Sequence, residues 1–242
     1  MGSTYTSHVK GLRSVVRAAI VLLAVALLST SSRGLAEQSR LERRVDDYTG
    51  SFSPSGKTIV FERFFSTQRR GVDTHPSFWR GRPGTSGAYF VMNADGTGLR
   101  RISRGQRFDW GCPSWFPDGK LVFARDYNLS VASVDGTKIE RITDDRDGTL
   151  YRPSVSPGGR WIACDGFASR YGYGIIVMRA DGTAMRRITT AANEIENDAG
   201  ASWSPDGGRI AFSGYRGRFT GAGVYIVNRD GTGLRRLSNV AR

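Results

Sequence analysis

The chain has 242 residues, with 35 Lys and Arg against 22 Asp and Glu and a formal net charge of +13. Two His and two Cys in the whole sequence leave little material for His clusters or Cys-x-x-Cys chemistry. Residues 1–36 read as a secretory signal peptide, because Lys10, Arg13 and Arg17 precede an apolar run from Ala18 to Leu28 and the small-residue site Gly34-Leu35-Ala36. Eleven apolar residues are short of the ~20 needed to span a bilayer, which disfavours the alternative of an uncleaved anchor. No Cys directly follows the run, so a lipoprotein anchor is not expected. Cleavage after Ala36 removes four basic residues, lowers the net charge to +9 and leaves 206 residues, enough for one domain with a core.

Residues 37–47 are expected to be a linker, and the rest of the chain repeats one phrase four times. Each copy opens with a turn: Ser53-Pro54-Ser55-Gly56, Phe116-Pro117-Asp118-Gly119, Ser156-Pro157-Gly158-Gly159 and Ser204-Pro205-Asp206-Gly207. Each closes on Asp-Gly-Thr and a basic, apolar stretch, at Asp95-Gly96-Thr97, Asp135-Gly136-Thr137, Asp181-Gly182-Thr183 and Asp230-Gly231-Thr232. A period of roughly 40–50 residues points to a solenoid, propeller or array.

The fourth copy reads as four strands. Ala201-Ser202-Trp203 alternates, Arg209-Ile210-Ala211-Phe212 follows the Pro-Asp-Gly turn, Val224-Tyr225-Ile226-Val227 is β-branched and apolar, and Leu234-Arg235-Arg236-Leu237 follows the Asp-Gly hairpin signal. Four antiparallel strands per unit make a propeller blade. The sequence therefore predicts an all-β protein, a β-propeller with four recognisable blades at about 48–103, 110–143, 151–189 and 199–238. Phe52, Trp115, Val155 and Trp203 share one position, and Phe61, Phe123, Cys164 and Phe212 another, as expected of residues that pack blade on blade. Cys164 in a core position and Cys112 before a first strand are expected to act as small hydrophobes rather than to pair.

Pro113 to Lys120 and Tyr89 to Thr97 resemble the repeat of the TolB-type propeller family, a WD-repeat-like family. The resemblance covers roughly residues 48 to 239 and implies the repeat fold. The family's namesake has an α/β domain before six blades; here four blades are counted, with no α/β domain expected before Tyr48. The resemblance also gives a lead to a cell-envelope role.

The tight turns should fall on one end of the blades and the variable loops on the other, where function usually lies. The longest variable stretch, Glu62 to Gly87, holds Phe64, Phe65, Arg69, Arg70, His75, Phe78, Trp79 and Arg80. The matching stretches of blades three and four hold Phe167, Arg170, Tyr171 and Tyr173, and Tyr215, Arg216, Arg218 and Phe219. Aromatic and Arg side chains are the favoured anchors of binding surfaces. The inter-blade loops are acidic, with Asp144, Asp145 and Asp147 in the richest; no metal or other cofactor is expected, since the liganding pattern of a calcium loop is incomplete. Paired Arg in the last strands, Arg100-Arg101, Arg186-Arg187 and Arg235-Arg236, are expected to protect exposed sheet edges.

No Gly-x-Ser-x-Gly, His-Glu-x-x-His or Cys-x-x-Cys occurs, and the mature chain has His75 as its single His. The reading is thus an exported, non-enzymatic scaffold, periplasmic, envelope-bound or secreted. Its expected partner is a protein or an anionic envelope polymer, not nucleic acid, and it does not insert stably into a membrane once cleaved. The alternative is a carbohydrate-active or other hydrolytic propeller using carboxylates at the channel mouth. A closed monomeric ring of four blades is expected, with a dimer that completes the ring as the other possibility.

Overall fold

The computed structural model describes residues 41–69, 86–103, 112–168, 172–189, 195–216 and 222–238. Residues 1–36, expected to be a leader, lie outside them. The described residues hold sixteen strands and no helix, arranged as four antiparallel four-stranded sheets in simple sequence order. Sheet 1 is β1 (Leu41–Phe52), β2 (Thr58–Arg69), β3 (Ser86–Asn93) and β4 (Arg100–Arg101). Sheet 2 is β5 (Ser114–Trp115), β6 (Leu121–Arg125), β7 (Asn128–Ala132) and β8 (Ile139–Arg141). Sheet 3 is β9 (Gly148–Val155), β10 (Trp161–Ala168), β11 (Gly172–Arg179) and β12 (Arg186–Arg187). Sheet 4 is β13 (Ile195–Trp203), β14 (Arg209–Arg216), β15 (Ala222–Asn228) and β16 (Arg235–Arg236). These are the four blades of a propeller. Val45–Ser66 and the described residues from Ser86 onward form one compact unit, while Leu41–Arg44 and Thr67–Arg69 belong to a second.

Two strands are longer than the sequence suggests. β1 starts at Leu41, inside the stretch expected to be a linker, because β2 runs on to Arg69 and offers it a pairing partner. The same extension makes Phe64, Phe65 and Arg69 strand residues rather than loop residues. The cause is local: Thr58 to Thr67 is rich in β-branched and aromatic residues, which suit a pleated surface.

The turn chemistry repeats as the phrase does. In each Asp-Gly-Thr turn the Asp carboxylate accepts from the Thr N–H and hydroxyl, with Asp135 Oδ1 3.0 Å from Thr137 N and 2.8 Å from its Oγ1. The Ser133 hydroxyl is the largest of the donors that hold the Asp135 carboxyl down to about 2. After each last strand a hydroxyl extends the ladder. Ser103, Thr143, Thr189 and Ser238 Oγ accept from the N–H of Tyr89, Leu129, Ile175 and Val224, each at 2.9 Å. Four positions before each turn motif a residue is left-handed: Thr49 (φ 55°), Arg152 (φ 44°) and Gly200 (φ 68°) within the innermost strands, and Cys112 (φ 30°) just before the short β5. Such bulges bend a strand and re-aim its side chains.

Blades stack through three apolar cores. Val60, Tyr89, Val91 and Ile102 of sheet 1 meet Leu121, Phe123 and Ala132 of sheet 2. Val122, Ala124 and Leu129 of sheet 2 meet Ile162, Cys164, Ile176 and Met178 of sheet 3. Ala163, Ile175, Val177 and Ile188 of sheet 3 meet Ile210, Phe212, Tyr225 and Val227 of sheet 4. Both cysteines are thiols, and burial pushes that of Cys164 well up. Indole N–H groups tie blades together: Trp115 Nε1 donates to the Ser51 carbonyl at 3.0 Å and Trp203 Nε1 to that of Ser154 at 2.9 Å. Arg186 adds a tie, donating to the carbonyls of Arg229 (2.7 Å) and Asp230 (3.1 Å) in the next blade's turn. At that position the paired Arg does more than shield an edge.

Among the described residues no apolar core joins sheet 4 to sheet 1. Phe52 on sheet 1 and Val224 and Leu237 on sheet 4 stand in solvent. The third core also carries a cost. The Tyr225 hydroxyl is buried and has no hydrogen-bond partner among the described residues. Burying an unsatisfied hydroxyl costs about 1–3 kcal/mol. Tyr225→Phe is therefore expected to raise stability in urea denaturation by about 1 kcal/mol; a fall would mean that the hydroxyl is satisfied in solution.

Candidate functional site

Strand order sets the geometry of the candidate surface. The Pro-Asp-Gly and Asp-Gly-Thr turns join β1 to β2 and β3 to β4, and their counterparts in each blade, at one end. The connections between second and third strands, and between blades, lie at the other, variable-loop end.

Of the aromatic and Arg residues singled out in these stretches, the structure describes the side chains of Phe64, Phe65, Phe167 and Tyr173. Phe64 meets Tyr48 edge-on at 5.4 Å, and Phe65 lies 6.3 Å from Phe90. Both are half-buried, so they partly serve as packing within sheet 1. Tyr173 starts β11 and points its hydroxyl at Asp165 Oδ2, 3.4 Å away. Arg69, Tyr215 and Arg216 fall at the ends of β2 and β14, on strands rather than loops. Arg70, Phe78, Trp79, Arg80, Arg170, Tyr171, Arg218 and Phe219 lie outside the described residues.

Tyr127 and Tyr151, also at this end, were not singled out in the sequence. The two-residue turn Asp126-Tyr127 has both residues left-handed, at φ 49° and 65°, a backbone that suits hairpins of this length. It holds Tyr127 out to solvent, edge-on to Tyr151 at 6.0 Å. Phe167 on β10 is exposed too, and pairs across the ladder with Tyr173. Phe167 was among the aromatics of the blade-three variable stretch that the sequence offered, as Phe64 and Phe65 are in blade one.

Beneath this aromatic end lies a buried ion pair. Arg152, re-aimed by its left-handed backbone, places Nε 2.8 Å from Asp165 Oδ1 and Nη2 2.6 Å from Oδ2. The Asp165 side chain is fully buried. Burial pushes its carboxyl above the usual range, opposed by Arg152, by the Gly200 N–H of the next blade and by Tyr173. The cluster thus ties sheet 3 to sheet 4 and orients the first residues of β11.

The acidic inter-blade loop is spoken for by its own neighbours. Arg146 holds Asp144 at 2.6 Å, and Arg141 holds Asp145 at 2.6 Å with Asn128 Nδ2 at 2.9 Å. These bonds lower both carboxyls, keeping them ionised. Asp147 accepts from the Asp144 N–H at 2.8 Å. Among the described residues no group of three or more His, Cys, Asp or Glu is placed to hold a metal ion.

At the tight-turn end, sheets 3 and 4 leave an open cleft of about 670 Å³ lined by Arg160, Trp161, Arg179, Asp181, Asp206 and Arg229. The Arg229 guanidinium lies 5.0 Å from the Trp161 ring centre.

No protein-family model matches the chain, and no curated protein matches it. Solved structures do. TolB from Acinetobacter baumannii aligns over 83% of this chain and 45% of its own, at 16% identity and a TM-score of 0.59. A protein assigned as TolB from Agrobacterium tumefaciens aligns over 80% of both chains, at 19% identity and a TM-score of 0.53. A puromycin hydrolase aligns over 79% of this chain and 29% of its own, at 15% identity and a TM-score of 0.53. The chain thus spans less than half the length of the Acinetobacter protein. At these identities the likeness is one of fold: the chain is built as a TolB-type β-propeller.

Proposed function

We propose that this chain is an exported binding scaffold that takes a protein or an anionic envelope polymer at the variable-loop end of its blades. The observation that carries the reading is the exposure of Tyr127 and Phe167 at that end, with Tyr151 and Tyr173 beside them. Large aromatic rings held out on rigid strand ends are what binding anchors require. The net charge of +9 left after cleavage (+13 less the four basic residues of 1–36) favours an anionic partner. The TolB neighbours support an envelope setting for such a scaffold, and one neighbour's being a hydrolase leaves the hydrolytic alternative with fold likeness alone. Of the carboxylates named for that alternative, Asp144 and Asp145 are clamped by Arg, so neither is poised to pass a proton to a substrate.

The test is capture from an envelope extract by the full exported chain and by Tyr127→Ala/Phe167→Ala. Captured material is expected to fall at least tenfold, with thermal stability lowered by less than about 1 kcal/mol, since exposed substitutions cost little. Equal capture by the variant would move the binding surface elsewhere.

A further inference from the structure

Within the chain, each blade seats one face on the blade before it and offers the other to the blade after. Two faces lack such a neighbour among the described residues: the forward face of sheet 4 and the backward face of sheet 1. Repeat-equivalent positions measure this directly. Ile102 and Ile188 are 4% and 2% exposed under the next blade, while Leu237 at the same place in sheet 4 is 46% exposed. Ile175 is fully buried, while its equivalent Val224 is 45% exposed. Trp115 and Trp203 are half-buried on the preceding blade, while Phe52 in their place is 62% exposed. The turn glycines agree. A Cβ on Gly136 would stand 3.0 Å from the Ile102 carbonyl and one on Gly231 3.3 Å from that of Ile188, but one on Gly96 would meet nothing within 4 Å.

The geometry points to a second copy of this chain as the occupant, seated head to tail so that sheet 4 of one copy covers sheet 1 of the other. The argument is continuity with the three interfaces already built. The open face of sheet 1 is the repeat equivalent of the faces that sheets 2, 3 and 4 already seat on a forward face. Leu237 would lie against Gly96 of the second copy as Ile188 lies against Gly231, and the Phe52 ring of the second copy would cover the exposed Ser202 at the place where Trp203 covers Ser154, by packing and without the indole hydrogen bond. Sheet 1 is already partly roofed away from this edge. Arg63, held by Asp47 at 2.6 Å, lies 5.3 Å and 5.0 Å from the rings of Phe61 and Phe90 and leaves the Phe52 and Gly96 end open. A two-fold axis repeats the contact and closes the assembly at eight blades, inside the range of about four to eight seen in propellers.

Light scattering on the full exported chain is expected to give twice the monomer mass. Phe52→Asp and Leu237→Asp should each give a folded monomer, judged by a cooperative thermal transition. Mixing the two should restore a dimer, because one of its two interfaces is then free of both substitutions. If either Asp variant fails to fold, Phe52→Ser and Leu237→Ser replace them. A wild-type monomer at the highest soluble concentration overturns the proposal. So does a filament or a larger ring. A dimer broken by one variant but not the other would be a symmetric face-to-face pair, which overturns it as well.

Discussion

Asp165→Ala should cost about 3 kcal/mol of folding stability, and a fall in Tm of roughly 6–12 °C for a chain of this size. The substitution removes the carboxylate from a fully buried site and leaves the Arg152 guanidinium, 24% exposed, without its two charged bonds. Breaking a buried pair by removing one partner usually costs about 3–5 kcal/mol. The lower figure applies because Arg152 keeps some contact with water. The Gly200 N–H also loses its acceptor, so the sheet 3–sheet 4 contact loosens with it. Replacing both partners, Arg152→Met with Asp165→Leu, should recover most of the loss, since the penalty lies in the orphaned charge. Urea midpoints at constant m-value read both. A loss under about 1 kcal/mol for Asp165→Ala would mean that water screens the pair in solution. Acid is not expected to attack this site first. Its carboxyl is raised, so protonation comes more easily in the folded state and favours it. The turn carboxylates behave oppositely: the contribution of Asp135 is complete above the usual value of 3.8 and is lost as pH falls through about 2.

Local rules made the blades legible. Asp-Gly-Thr and Pro-Asp-Gly fix turns by side-chain to backbone bonds within a few residues, and four copies in register announce the stack. The packing positions of Phe123, Cys164 and Phe212 followed from the same register, since all three are buried between blades. The hydroxyl after each last strand was equally visible, as Ser103, Thr143, Thr189 and Ser238 follow Ile or Leu in every copy. Its role could not be read, because it bonds a strand fourteen residues back. Arg152 and Asp165 were hidden for a related reason. Nothing in a sequence marks the left-handed turn of the backbone at a non-glycine residue that aims Arg152 inward. Strand ends failed where aromatic residues read equally well as exposed loop anchors and as pleated strand, as with Phe64 and Phe65. Ring closure was not legible, because the repeat specifies each interface but not how many are made within one chain.

Gly182→Ala should cost at least about 2 kcal/mol more than Gly96→Ala, although the two glycines are indistinguishable in sequence and in backbone. Both sit in Asp-Gly-Thr turns, and both have φ +85°. Each substitution therefore places an L side chain in the left-handed region, a strain of about 1–2 kcal/mol. The difference lies in the neighbours. A Cβ on Gly182 would overlap the Ile142 carbonyl oxygen at the end of sheet 2, and backbone cannot rotate aside as a side chain does. A Cβ on Gly96 would meet nothing within 4 Å in the single chain. The turn glycine thus has two duties, and only the first, the positive φ, is written in its own turn. The second, letting the preceding blade approach, belongs to the stack. Both variants are best compared in a Leu237→Asp chain, so that denaturation reports one copy and Gly96 faces solvent. Equal losses would show that backbone strain alone makes these glycines necessary, and that blades 2 and 3 separate enough in solution to admit a methyl group. A larger loss at Gly182 ties the repeated glycine to blade stacking.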